Sequence, residues 1–269
     1  MLAVGTMVFT GSTIVQAMDP PEGWVPISIT DEARTCGSYS KSEWEVNKLS
    51  GAHVTITPHF SNRPYTSQLP FEIIVSEGEN GLVGDRQILR VTDGWLIGFD
   101  AGEWGGALWW FNEDGANRRK LLEENVRGLI ETRWGILVLT GLAHLSLDQG
   151  KVFRLHHSGV GEWEPDQTAL LDGAPQTFIS ESPDTVLVIT NKSLVRLRSG
   201  LLDALTTSVR YEGLSPNSVV LAKDGVIYVG MRHFVTRLTP RSLGYHEEWF
   251  VPNTCKRFEL KEYDCVCLQ

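Results

Sequence analysis

"VRGLIETRWGILVLTGLAHLSLDQGKVFRL", residues 126–155, decides the fold. It opens on a short apolar strand and crosses a polar turn ending at Gly135. Then comes the unbroken apolar run "ILVL" (136–139), a small-residue break, and the alternating "LAHLSLD" (142–148). An unbroken apolar run between turn signals fits a strand buried on both faces, whereas alternation fits a strand with one wet face. "RKLLEENVRGLIE" (119–131) can be drawn as a helix. Gly128, and the match of Val126–Ile130 to similar segments elsewhere, favour strand.

The strand, turn and apolar run recur in "QILRVTDGWLIGFD" (87–100), and the whole order, with its break and alternating strand, in "QTFISESPDTVLVITNKSLVRLRSG" (176–200) and "NSVVLAKDGVIYVGMRHFVTRLTP" (217–240). With Gly94, Gly135, Asp184 and Gly225 as equivalent turn positions, the copies stand 41, 49 and 41 residues apart. A period of about 40–50 residues built from short strands is that of a propeller blade. Blades stack face to face, so the runs "ILVL", "VLVI" (186–189) and "VIYV" (226–229) are expected as their inner strands.

"DGVIYVGMRHFVTRL" (224–238) and "WGILVLTGLAHLSL" (134–147) resemble the blade repeats of two-component regulator propellers. There a turn glycine precedes an aromatic or aliphatic run, then a small residue, then a strand. The copy at Asp184 departs from that pattern with Asp-Thr in place of Asp-Gly, and the copy at Gly94 carries a long insertion after Gly98. The resemblance implies an all-β chain forming a single β-propeller, and says far less about function. "WEVNKL" (44–49), "AHVTITPHF" (52–60) and "FEIIVSE" (71–77) are expected as strands of a further blade. The count is about five blades, or six if the tail forms its own. A β-sandwich is the alternative for short strands at regular spacing.

The chain has 269 residues, 42% of them hydrophobic and 21% charged, within the globular range. With 24 Lys+Arg against 33 Asp+Glu its net charge is -9, which argues against non-specific nucleic-acid binding. No apolar run is long enough to span a membrane as a helix. "LAVGTMVFTGSTIVQA" (2–17), uncharged and mostly apolar or small, resembles the core and cleavage site of a secretory signal, although no basic residue precedes it. Residues 1–17 are therefore expected to be a signal peptide and 18–269 one propeller domain, periplasmic or secreted. Cys36, Cys255, Cys265 and Cys267 sit at the two ends of the chain, suiting two disulfides that tie those ends together. Cys265 and Cys267 share a face of an extended strand and bond each other awkwardly, so Cys255 is expected to take one of them and Cys36 the other. A zinc site is the rival reading, but C-x9-C-x-C lacks the usual paired knuckle.

The insertion, within "GFDAGEWGGALWWFNEDG" (98–115), supplies the candidate binding residues Asp100, Glu103, Trp104, Trp109 and Trp110. Two carboxylates beside tryptophans are the materials of a sugar-cleaving site. Equally, Gly102, Gly105 and Gly106 shape a wide turn, with one of Trp109 and Trp110 facing the blade and the other facing solvent or a partner. The histidines form no motif: His53 and His59 share a strand face, His156 and His157 are expected at a turn, and "YHEEW" (245–249) at a polar rim. No nucleophile elbow, phosphate loop, dinucleotide fingerprint or metal motif is present, so neither a catalytic residue, a cofactor nor a metal is expected. The expected function is an exported, non-catalytic propeller binding a protein partner, such as an antagonist or immunity-type inhibitor of a secreted toxin or enzyme. A glycan-binding or glycan-cleaving propeller using Asp100 and Glu103 is the alternative.

Overall fold

The computed structural model describes residues 19–48, 54–60, 69–75, 80–202, 207–242 and 244–268. The expected signal peptide lies outside the described residues. The chain opens with strand β1 (Trp24–Ile27), helix α1 (Asp31–Ser38) and a hairpin of β2 (Trp44–Lys48) and β3 (Val54–Pro58). The Thr30 hydroxyl caps α1 by accepting from the Ala33 N–H at 3.1 Å, with Asp31 and Glu32 in the first turn.

Four antiparallel meanders follow, each sheet formed by strands consecutive in sequence. The first comprises β4 (Asp85–Val91), β5 (Gly94–Asp100), β6 (Gly106–Phe111) and β7 (Arg118–Leu122). The second comprises β8 (Val126–Thr132), β9 (Gly135–His144), β10 (Leu147–Gly159) and β11 (Glu162–Leu171). In the third, β12 (Pro175–Ser182), β13 (Thr185–Thr190) and β14 (Ser193–Arg198) are edged by β15 (Leu201–Leu202) and β16 (Thr207–Ser208). In the fourth, β17 (Ser218–Leu221), β18 (Ile227–Gly230), β19 (Val235–Pro240) and β20 (Tyr245–Pro252) are joined at the outer edge by β1 from the start of the chain. A tail hairpin, β21 (Arg257–Lys261) with β22 (Asp264–Leu268), ends the chain. No helix among the described residues is long and apolar enough to cross a membrane.

The apolar runs are continuous because each serves two cores. Ile136 and Val138 face the first sheet, packing with Leu96, Leu108 and Trp110, while Leu137 and Leu139 face the third, packing with Val186 and Val188. Leu187 and Ile189 then turn to Ile227 and Val229 of the fourth sheet, whose opposite face packs Tyr228 and Phe250 against Val46 of the β2–β3 hairpin. Period-2 alternation thus sends successive residues into neighbouring cores, and each side chain taken out of water contributes about 1.5–3 kcal/mol before entropy is counted. These runs are the second strand of each sheet. The first strands β4, β12 and β17 are mostly half-exposed, and one edge of each has no hydrogen-bonded strand partner.

Each first strand lies against the first strand of the next sheet: β4 against β8, β8 against β12, β12 against β17, and β17 against β2. Gly98, inside β5, and Gly230, the last residue of β18, sit where neighbouring sheets approach closely. A Cβ on Gly98 would stand 2.2 Å from a Val126 methyl carbon, and one on Gly230 would stand 2.5 Å from the Trp44 carbonyl oxygen.

Residues 71–75 do not form the expected strand; residues 76–79 lie outside the described residues. Leu69, Phe71 and Ile73 instead lay their alternate side chains on the first sheet around Trp109 and Phe111, so the alternation reflects one buried face without a ladder partner. Segments 119–131 and 44–48 are strands as expected.

The two disulfides are Cys36–Cys265 and Cys255–Cys267, one of the two pairings left open by the spacing argument. They pin α1 and the tail hairpin to the end of the fourth sheet. His233 lies buried between them, edge-on to Phe234 and Phe258, and burial pushes its pKa down to about 4, so the ring is neutral.

Candidate functional site

The insertion forms a rigid bracket between β5 and β6. Gly102 at φ 60° and Gly105 at φ 88° take left-handed conformations that a side chain would resist, and a single 3-10 turn spans Gly102–Trp104. Three neighbours then clamp Gly102. Asp100 accepts its N–H at 2.9 Å, Asn125 donates to its carbonyl at 2.9 Å, and Arg127 holds Asp100 in an ion pair at 2.8 Å. The Asp100 side chain is only 8% exposed, so its charge is spent inside the protein. The clamp pushes Trp104 outward until its surface is 83% exposed.

Facing this bracket is the tip of the β9–β10 hairpin. His144 pairs with Glu103 at 3.0 Å across the gap. Beside it Leu145, held at φ 53°, is 94% exposed, and Leu147 is partly exposed. A leucine in left-handed backbone at a hairpin tip is a strained choice, of the kind that concentrates at working surfaces. Between the two tips lies a cleft of about 280 Å³, lined by Trp104, Asn80, Asn125, Leu142, Gln149 and an ion pair of Lys151 with Glu124. That volume falls just below the usual ligand-pocket range of about 300–1,000 Å³.

The five residues named from the sequence therefore separate. Trp104 and Glu103 stand on the exposed face, while Asp100 serves the bracket from within. Trp109 and Trp110 are each only 7% exposed, and neither faces solvent. Trp109 packs under Phe111 and residues 69–73, and Trp110 packs against the second sheet, because both faces of β6 are covered. His144, Leu145 and Asn125 were not legible as partners of this loop. They come from a separate hairpin and linker, brought alongside only by the stacking of the sheets.

Most of the remaining histidines are engaged by neighbouring side chains. His156 and His157 lie inside β10, not at a turn, since that strand stays paired with β11 up to Gly159. His157 stacks on Trp163 at 4.2 Å and approaches Asp93 at 3.2 Å. Burial works against a charge on Asp93, but the Gly161 N–H at 2.7 Å, the Trp163 indole N–H and His157 outweigh it and hold the carboxyl below its usual range. His59 sits 3.6 Å from Glu45, and His53 lies outside the described residues. In "YHEEW" His246 is exposed, while the two glutamates turn inward: Glu247 accepts from Tyr211 at 2.7 Å and from the Trp249 indole at 3.0 Å, and Glu248 grips the buried Arg237.

No protein-family model matches the chain, and no curated protein matches it either.

Proposed function

We propose that the chain is an exported five-bladed β-propeller that binds a protein partner without catalysis, at the face shared by residues 101–105 and 144–147. The propeller reading is supported by the serial packing of first strands, with the β2–β3 hairpin in fifth place and β1 completing the last full sheet. Two disulfides suit the oxidising compartments outside the cytoplasm.

The observation that carries the binding reading is the pair Trp104 and Leu145, 83% and 94% exposed on two clamped, adjacent tips. Exposed tryptophan on rigid backbone is the commonest interface anchor, and pre-ordering lowers the entropic cost of association. A net charge of -9 favours a basic partner, as an antagonist of a secreted basic toxin or enzyme would meet. Catalysis by Asp100 and Glu103 is disfavoured, because both carboxylates are committed to Arg127 and His144. The test is a photo-cross-linking residue at position 104 or 145 in the producing cell, with position 134 on a different turn as control. One adduct shared by 104 and 145 and missing at 134 is expected. Equal labelling at all three positions, or hydrolysis of a polysaccharide that Asp100→Asn abolishes, refutes the reading.

The amides of Asn80, Asn125 and Gln149 beside Trp104 favour a second reading, a propeller that binds a neutral glycan in the cleft. Retardation in gels containing soluble polysaccharides, lost on Trp104→Ala, would select it over the first.

A further inference from the structure

Away from the cleft, the densest group of reactive side chains is the disulfide latch, with His233 at its centre. The His233 Nε2 atom lies 3.8 Å from Cys267 Sγ and 3.9 Å from Cys265 Sγ, one sulfur from each bridge. The hydrogen bonds favour one tautomer. Ser40 Oγ donates to the Cys265 carbonyl at 3.2 Å, so at 2.9 Å from His233 Nδ1 it accepts the Nδ1 proton. Nε2 therefore carries a lone pair in a buried position, aimed at sulfurs that, as disulfides, have no hydrogen to offer.

We propose that the latch has a second, reduced state in which His233 Nε2 and the thiolates of Cys255, Cys265 and Cys267 hold one zinc ion. A tetrahedral site with Zn–S of about 2.3 Å and Zn–N of about 2.0 Å places its ligand atoms about 3.5–3.8 Å apart. The two nitrogen–sulfur separations already stand near that value. His233 Nε2, Cys255 Sγ and Cys267 Sγ lie within 4.8 Å of one another. The Cys255 and Cys267 sulfurs, 2.02 Å apart while bonded, have to separate, and Cys265, which stands outside that group, has to leave Cys36 and swing its sulfur inward. The outer shell also suits a metal: Nδ1–H is held by Ser40, as metal-bound imidazoles usually require, and Phe234 and Phe258 flank the ring. One nitrogen and three sulfurs form a donor set that zinc prefers.

The chemistry balances with an external dithiol or trialkylphosphine as reductant. Each disulfide takes up two electrons and two protons to give two thiols, and zinc then displaces three thiol protons. Cys36 is left over. In this state the tail hairpin stays tied to the fourth sheet through His233, while α1 loses its covalent tether. The paired-knuckle signature is missing from the sequence because the fourth ligand comes from the loop between β18 and β19.

The full chain is reduced with a trialkylphosphine, its fold checked by circular dichroism, and zinc added against a chromogenic chelator, with free thiols mapped by alkylation and mass spectrometry. One zinc per chain is expected, with Cys36 alkylated and the other three cysteines protected. Cys36→Ser should bind zinc unchanged. His233→Asn, which tolerates the positive φ of 67° at that position, should bind at least tenfold more weakly. Zinc uptake below one per chain, protection of Cys36 equal to the others, unchanged affinity in His233→Asn, or a reduced chain that unfolds and is not restored by zinc would each overturn the proposal.

Discussion

Removing the Cys36–Cys265 bridge by a Cys36→Ala/Cys265→Ala double substitution should cost far more stability than removing Cys255–Cys267 in the same way. The first bridge joins residues 229 apart in sequence and the second joins residues 12 apart. On the chain-entropy account, closing the long loop withdraws about 18 cal/mol/K from the unfolded ensemble, or about 5 kcal/mol at 25 °C, and closing the short one about 3 kcal/mol. The packing contributions largely cancel, since each pair joins one buried sulfur, Cys265 or Cys255, to a half-buried one. The assay is guanidinium unfolding followed by tryptophan fluorescence, with both variants and the parent fully oxidised. The long-bridge variant should lose about 2.5 kcal/mol more than the other and show a steeper denaturant slope, because its unfolded state expands further. A short-bridge variant that loses as much as the long-bridge variant would refute the entropic reasoning and place the latch's contribution in native packing around His233.

Trp104→Ala should leave stability within about 0.5 kcal/mol while abolishing cross-linking from a probe at position 145; Asp100→Ala should cost about 2 kcal/mol, because Arg127 and the Gly102 N–H lose their acceptor. A thermal melt of the two variants separates display from support. Gly98→Val should cost about 3 kcal/mol of stability and lower the midpoint steeply, because the new side chain meets Val126; an unchanged midpoint would mean that the first and second sheets do not approach there. Asp93, held below the usual carboxyl range, contributes stability that is complete above its unfolded pKa of about 4 and is lost as the pH falls through its lower folded value. In acid titrations Asp93→Asn should therefore start less stable at neutral pH and lose less between about pH 5 and pH 2; identical profiles would show that the Gly161 and Trp163 contacts do not favour the charge.

Much of the fold is local and was therefore readable. The meander order follows from apolar runs and turns at fixed spacing, and the runs at 136–139, 186–189 and 226–229 are unbroken because each residue is claimed by one of two cores. "FEIIVSE" shows the limit of that logic. Alternation reports a buried face, and a face can be buried against a sheet without joining its ladder, as Phe71 and Ile73 show. Trp109 and Trp110 were misplaced for a related reason. Adjacent residues on a strand must point opposite ways, but only the tertiary structure determines whether the second face meets water or residues 69–73.

The chain's own pattern thus determined an all-β series of meanders, the ends tied by four cysteines, and the glycine-built bracket after Gly98. Each depends on neighbours in sequence or on a residue type with few alternatives. Tertiary structure alone decided which of five candidate residues reach the surface, which hairpin tip faces Trp104, and that a histidine from the fourth sheet stands between two disulfides. Those contacts join segments tens to hundreds of residues apart, and no local spacing encodes how close stacked sheets bring them.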